Sequence, residues 1–269
     1  MDRRDFIAKG LGAAGALLAP HLASAQIGTA RLTTVSDGAL RLPGDFVFGA
    51  LDQDALAPIL ASRGVDRAQV APECNLALVE DGERRILFDV GAGPDFMPSA
   101  GRLTDSLAGL GLTPEDITHV VFTHAHPDHI WGLLDDFDEP LFPDATYLMG
   151  RAEWEYWWDP GTVDTIGGDR AAFAVGARRR MEVIEDRTIR FDPGAEILPG
   201  LAAVEAGGHT PGHMAFELRQ GTEAALILGD AIANHHVALA RPDWIAGSDQ
   251  DGARGAATRL RLLDRIMAE

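Results

Sequence analysis

The feature that most restricts this chain is His124-Ala125-His126-Pro127-Asp128-His129, placed directly after the apolar run Val120-Val121-Phe122-Thr123. That run reads as a short buried strand. Any sheet that takes it up must deliver three imidazoles and a carboxylate to one strand end. Histidine and aspartate are seldom buried without partners, so a group this dense is costly unless a cation offsets it. Imidazole nitrogen and carboxylate oxygen are the donors that zinc and similar divalent ions take in catalytic sites. An exposed polar loop is the plainer reading, but it leaves the strand feeding the loop unexplained.

Two further groups share this placement. His209 lies in Gly207-Gly208-His209-Thr210-Pro211-Gly212-His213, between two predicted strands, and Asp230 ends the apolar strand Leu226-Ile227-Leu228-Gly229. Three strand ends that aim polar side chains at one place are the layout expected of a metal site on a sheet scaffold. His213 is expected to brace the turn or to hydrogen-bond a ligand from behind. His119 reads as structural, and His235 and His236 read as a surface pair.

Elsewhere, residues 53–63 and 103–110 carry helical patterns, and strands 76–80 and 85–89 flank Asp81-Gly82 as a hairpin. Turns are expected at Asp37-Gly38 and Pro43-Gly44. Pro127 falls where the chain re-enters a helix, a position proline tolerates. A strand over 144–149 precedes an aromatic-rich helix from Glu153 to Trp158, and residues 169–182 are helical. Strands at 202–204, 215–218 and 225–228 lead to an amphipathic helix over 253–268. The run Arg178-Arg179-Arg180 reads as a solvated helix face ahead of an anion clamp. Cys74 is the only cysteine, which excludes an intramolecular disulfide; it reads as a small buried residue ahead of a reactive thiol.

His-x-His-x-Asp-His, a Gly-His-Thr-Pro-Gly-His loop and an Asp after a strand, in that order, resemble the metallo-β-lactamase superfamily from about Leu32 onward. The resemblance implies an α/β (α+β) fold, a four-layer αββα sandwich of two mixed β-sheets flanked by helices. It implies a dinuclear site at one edge, with two divalent metal ions, zinc first among them. Carried over residue by residue, it puts the first metal on His124, His126 and His209. The second falls to Asp128 and His129, and Asp230 bridges the two. The implied function is a metal-dependent hydrolase that uses a metal-activated hydroxide to cleave an aryl ester, lactone or phosphotriester. Asp128 is the expected catalytic residue, orienting the nucleophile or moving its proton. Within the superfamily, Asp89-Val90-Gly91-Ala92-Gly93, the Phe142-Pro143-Asp144-Ala145 turn and the aromatic helix resemble periplasmic methyl parathion hydrolases, with quorum-quenching lactonases close behind. Phe46, Phe48, Trp154, Trp157 and Trp158 are candidates for an apolar pocket wall or for core.

The sequence departs from that pattern twice. Trp131 stands where the family usually has a small residue, which suggests a narrowed pocket or core packing. No histidine follows His236, although the family adds one on a strand beyond its last helix. The expectation is a domain over 26–269 that lacks its last strand and binds the second metal weakly. Two rival readings stay open: an iron-dependent oxidoreductase of the same superfamily, and a catalytically impaired metal-binding domain.

The net charge of -18 argues against nucleic acid or anionic membranes as partners, leaving a small-molecule substrate. Lys9 is the only lysine, so beyond it the positive charge is carried by arginine. Residues 1–25 resemble a twin-arginine export signal, with Arg3-Arg4-Asp5-Phe6-Ile7, an apolar run rich in small residues, and Ala23-Ser24-Ala25 as a cleavage site. The run is shorter than the ~20 residues a spanning helix needs. The expectation is a cleaved leader, a periplasmic bacterial protein and no stable membrane anchor.

Overall fold

Alternating apolar residues sort the chain into two facing sheets in the computed structural model, which describes residues 23–268. Most of the expected leader, residues 1–22, lies outside the described residues. β1 (Ser24–Ile27) pairs with β2 (Ala30–Ala39), while β3 (Leu42–Pro43) and β4 (Gln69–Val70) form a small separate ribbon. β5 (Glu73–Asp81) and β6 (Arg84–Phe88) are the expected hairpin, followed by β7 (His119–Phe122), β8 (Thr146–Gly150) and β9 (Thr188–Phe191). The larger sheet runs β1-β2-β5-β6-β7-β8-β9, antiparallel as far as β6 and parallel from β6 to β9. The second sheet is antiparallel: β10 (Glu196–Leu198), β11 (Leu201–Glu205), β12 (Met214–Gln220) and β13 (Glu223–Ile227).

The helices, in chain order, are α1 (Gly44–Phe48), α2 (Gln53–Arg63), α3 (Gly93–Phe96), α4 (Leu103–Gly109) and α5 (Pro127–Ile130). They continue with α6 (Arg151–Trp158), α7 (Thr162–Thr165), α8 (Ala171–Ile184), α9 (His235–Ala240) and α10 (Gly252–Ala268). Successive strand residues point to opposite faces, so each strand feeds two layers. Val79, Phe88, Val121 and Leu148 face Met214, Phe216 and Leu218 across the sandwich, with the Phe88 and Phe216 rings 5.2 Å apart. Leu78, Leu87, Val120 and Phe122 face the other way, under Leu107 of α4 and Met181 of α8. Leu262 of α10 covers Val204 and Ala215 on the outer face of the second sheet. The result is an αββα sandwich.

Two turn expectations need correction. Asp37-Gly38 is not a turn: both residues lie within β2, where the pairing with β5 shifts register between Ser36 and Ala39. Asp37 is buried, and its carboxylate accepts the backbone N–H groups of Ala92, Gly101 and Leu103 at 2.8, 3.2 and 3.0 Å. Burial raises its pKa, and those amide bonds oppose the rise. An Asp-Gly pair marks a turn only when its polar side chain stays local; here the carboxylate ties down the segment that follows β6. Pro43-Gly44, for its part, is the entry to α1.

Trp131 is core packing and does not line the pocket described below. Its ring lies against α8, where a Cβ on Gly176 would come within 2.5 Å of it, and the Arg180 guanidinium sits 4.8 Å above its centroid. The expectation of a solvated arginine face also fails at Arg180, which is 3% exposed and donates from Nε to the Trp131 carbonyl. Its neighbours pair outward, Arg178 with Glu182 and Arg179 with Asp138. Arginines also fasten α10. Arg254 and Arg261 both reach Glu205, Arg265 reaches Glu217, and Arg259 reaches Asp249.

Candidate metal centre

The loop after β7 is short and buried, so its polar groups have little choice of direction. His126 is the N-cap of α5 and Pro127 fills its first turn, which puts His129 one turn further on. His124, His126 and His129 are 0%, 7% and 9% exposed. The loop before β12 brings His209 to the same place, and the turn after β13 brings Asp230. His124 Nε2 lies 3.1 Å from His126 Nδ1, which lies 2.9 Å from His209 Nε2. One donor atom each from His124, His126 and His209 falls within 4.8 Å of the others, and the same holds for His124, His129 and Asp230. Asp128 stands outside both groups, with Oδ2 3.5 Å from His129 Nε2. The six residues singled out in the sequence therefore meet in one place.

The partners behind each ring decide which nitrogen is bare. The Thr123 hydroxyl lies 2.7 Å from Asp89 Oδ2, and a carboxylate can only accept, so Thr123 donates there. Its oxygen then accepts the Nδ1 proton of His124 at 3.0 Å, leaving His124 Nε2 bare. His129 Nδ1 donates to Asp89 Oδ2 at 2.8 Å, and His209 Nδ1 faces Asp249 Oδ1 at 3.3 Å. Burial first, and then the neighbouring imidazoles, hold His124 and His126 well below the ordinary histidine pKa. The buried Nε2 of His126 has no hydrogen-bond partner among the described residues. Converging lone pairs with at most one proton among them repel each other. A divalent cation is the partner that such a donor set lacks, and the residues fit one.

Asp230 divides its carboxylate between the two groups, Oδ2 3.4 Å from His209 Nε2 and Oδ1 3.5 Å from His129 Nε2. Burial alone would raise its pKa, but His129, His209 and His213 outweigh that and lower it. His129 is opposite: burial would lower it, yet Asp128, Asp230 and Asp89 hold it well above the usual value. His213 braces the turn as expected, accepting the Asp230 backbone N–H at Nε2 over 3.0 Å. Burial and the nearby His209 press its pKa down to about 3, so it stays neutral and able to accept. His235 and His236 lie against each other with tilted rings at the start of α9, outside both donor groups.

Besides Asp249, two residues at the centre were not identified from the sequence. Asp89 closes β6 in a left-handed conformation (φ 63°) and serves both His129 and Thr123. Glu153 is fully buried and accepts four donors: Ala125 N–H and Trp157 Nε1–H on one oxygen, Thr210 Oγ1–H and Gly212 N–H on the other. It therefore joins the loop that carries His124 and His126 to the loop that carries His209. Burial raises its pKa against those four bonds. Both contacts span long sequence separations, 40 residues for His129–Asp89 and 57 for Glu153–Thr210. The only local signal was an acidic residue at a strand end or in an aromatic helix.

Beside the centre opens a cavity of about 230 Å³. His126, Asp128, His209 and Asp230 form its floor, and Leu42, Phe48, Val70, Phe173, Val237 and Trp244 are among its walls. Of the two readings open for the aromatic residues, Phe46 and Phe48 take the pocket wall, whereas Trp154 and Trp157 belong to the core and Trp158 stacks on Trp154. Cys74 also borders the cavity. Burial, with Asp128 adding to it, pushes its thiol up to about 12, so it stays protonated and inert.

The family model for the metallo-beta-lactamase superfamily matches residues 71–266. The N-acyl homoserine lactonase AttM of Azorhizobium caulinodans is 29% identical over 163 residues, 60% of this chain and 59% of that protein. AttM of Agrobacterium fabrum is 27% identical over 124 residues, 46% of this chain and 44% of that one. The chain thus spans about half to three-fifths of the length of these curated relatives. Among solved structures, hydrolase AbOPH of the beta lactamase superfamily has a TM-score of 0.84 at 25% identity, covering 93% of this chain and 87% of that one. AidC, a dizinc quorum-quenching lactonase in complex with the product N-hexnoyl-L-homoserine, has a TM-score of 0.84 at 23% identity, covering 91% and 86%. At that identity the likeness to AidC is one of fold.

Proposed function

The chain belongs to the metallo-beta-lactamase superfamily, and from that premise we propose that it is a dinuclear, zinc-dependent hydrolase of small esters or lactones with an apolar acyl tail. The observation that carries this reading is the set of bare imidazole nitrogens beside an apolar cavity. His124, His126 and His209 would hold one ion, Asp128 and His129 the other, and Asp230 both. Bound divalent ions would polarise the acyl oxygen and bring the pKa of water towards neutrality.

The protein's own residues do the rest. The apolar walls take the tail and exclude water around the reacting carbonyl. Asp128, whose side chain is 22% exposed and borders the cavity, accepts a proton from the attacking water and returns it to the departing alcohol oxygen. Asp89 and Asp249 hold the rings of His129 and His209 in place from behind. The AttM relatives favour a lactone over a phosphotriester, since they are named as N-acyl homoserine lactonases. The zinc-loaded protein should open N-acyl lactones and cleave aryl esters, and His126→Ala should abolish this. Silence across a panel of lactones, aryl esters, phosphotriesters and β-lactams would sink the proposal.

Export to the periplasm through residues 1–25 belongs to the same proposal. Among the described residues, no helix is long and apolar enough to cross a membrane. Fractionation of cells expressing the Arg3→Lys/Arg4→Lys variant tests it, with retention in the cytoplasm expected and unchanged export counting against it.

A further inference from the structure

The segment between α9 and α10 and the N-terminal turns of α10 touch the metal centre from a side that contributes no proposed ligand. The His209 loop is held there along its length. Gln250 N–H donates to the His209 carbonyl at 3.1 Å, Asp251 N–H to the Gly208 carbonyl at 2.9 Å, and Thr258 Oγ1 to the Gly207 carbonyl at 2.7 Å. Gly208, at φ 134°, lies so close to α10 that a Cβ on it would come 2.3 Å from Gly255 N. Within this clamp lie two charged side chains that water does not reach, Asp249 (0% exposed) and Arg259 (3%).

We propose that Asp249, held by Arg259, is a positioning residue that fixes the tautomer and orientation of His209. The proposal rests on the metal reading given above. Arg259 Nη1 donates to Asp249 Oδ2 at 2.9 Å, Nη2 to the Trp244 carbonyl at 2.7 Å, and Nε lies 3.4 Å from the Pro242 carbonyl. This leaves Asp249 Oδ1 for His209 Nδ1, at 3.3 Å. A carboxylate has no proton to give, so Nδ1 carries the hydrogen and Nε2 is bare. That bare Nε2 is the atom 2.9 Å from His126 Nδ1 and 3.4 Å from Asp230 Oδ2. A simple bolt between loop and helix needs only the Arg259 contacts. The second oxygen of Asp249 is spent on the ring of His209. Thr123 behind His124 and Asp89 behind His129 do the same work from the larger sheet.

The test compares variants that lose the buried charge pair together, since removing one partner strands the other. Asp249→Asn/Arg259→Met keeps an oxygen that can accept from His209, and Asp249→Leu/Arg259→Met keeps the volume without an acceptor. With zinc chloride as the probe and a competing chelator, the Leu/Met protein should bind the ion about 10- to 100-fold more weakly than wild type. The Asn/Met protein should stay within about threefold, a rescue that loop packing alone does not give. Equal zinc affinity in the two folded variants overturns the proposal.

Nitrogen-15 NMR of the metal-free wild type, with His209 assigned through His209→Gln, decides the matter even if neither variant folds. A protonated Nδ1 with a bare Nε2 is expected, and a hydrogen on Nε2 overturns the assignment. A wild type that binds no zinc yet shows the Nδ1–H tautomer would defeat the hydrolase reading and leave the positioning role standing.

Discussion

Asp89 accepts the Nδ1 proton of His129 at 2.8 Å from a backbone held at φ 63°. Few residues other than glycine adopt that conformation, and asparagine is the one that does so with aspartate's shape. Asp89→Asn therefore separates the backbone from the carboxylate. It can keep the turn, but it cannot accept Thr123 N–H, the Thr123 hydroxyl and His129 Nδ1 together, as the carboxylate does. The variant should fold with a melting temperature within a few degrees of wild type and lose about 10- to 100-fold in metal affinity. Isothermal titration of the metal-free protein checks this, and unchanged affinity would show that the ring needs no such support.

The two donor groups differ in imidazole content. His124, His126 and His209 form one, whereas Asp128 and His129, with Asp230 shared, form the proposed other. Zinc prefers nitrogen over carboxylate oxygen in sites of this kind. A chelator titration followed by elemental analysis should show two plateaus, the second group emptying first. Asp230→Asn should remove the step between them. Loss of all metal in a single step from wild type would contradict a dinuclear centre of unequal halves.

Glu153 links stability to pH in an unusual direction for an acid. Its folded pKa is raised by burial, so the folded protein holds that proton above the pH where the unfolded chain has released it. Its contribution to stability is greatest below the ordinary carboxylate value and falls as pH rises through the window above it. Glu153→Ala, which strands four donors, should cost several kcal/mol, at ~1–3 kcal/mol for each unmet group. In urea unfolding of the metal-free proteins, the gap between wild type and Glu153→Gln should shrink from pH 5 to pH 8. A gap that widens instead would mean that the carboxylate is charged and favoured in the fold.

The apolar cavity makes the proposed substrate class measurable. Burying a methylene contributes ~0.8 kcal/mol, so kcat/KM should rise about fourfold per added acyl CH₂ until the cavity is filled. Ala233 borders that cavity and is exposed, so Ala233→Trp can shorten it with little effect on the core. The slope should flatten in that variant while short acyl lactones keep their rates. A wild-type rate independent of chain length would remove the tail from the proposal.

What sequence reading could reach was set by distance along the chain. The helix over Gln53–Arg63 and the hairpin around Gly82 are local, and their patterns survive in the fold. The six proposed ligands were legible because each is a polar residue at the end of an apolar strand. Asp89, Glu153 and Asp249 were not, because their partners lie 40, 57 and 40 residues away and only the topology brings them together. Asp37-Gly38 misleads for the same reason: its carboxylate answers to Ala92, Gly101 and Leu103 and to nothing nearby. Trp131 stayed open between pocket and core because Gly176, which makes room for its ring under α8, is distant in sequence.

Glu153 also bears on the order in which the molecule assembles. It reaches from Ala125, in the loop that leaves the larger sheet after β7, to Thr210 and Gly212 beside the smaller one, and His126 meets His209 across 83 residues. Each half is rich in hairpins and near-neighbour strands that can close early, while contacts of this span carry a higher loop-closure cost and are expected to form late. Interactions absent from the folding transition state act mainly on the rate of unfolding. A bound ion at this seam should therefore slow unfolding and leave the refolding rate nearly unchanged, so the halves dock no faster with zinc but part far more slowly. Stopped-flow chevrons with and without zinc would show the unfolding arm moving alone.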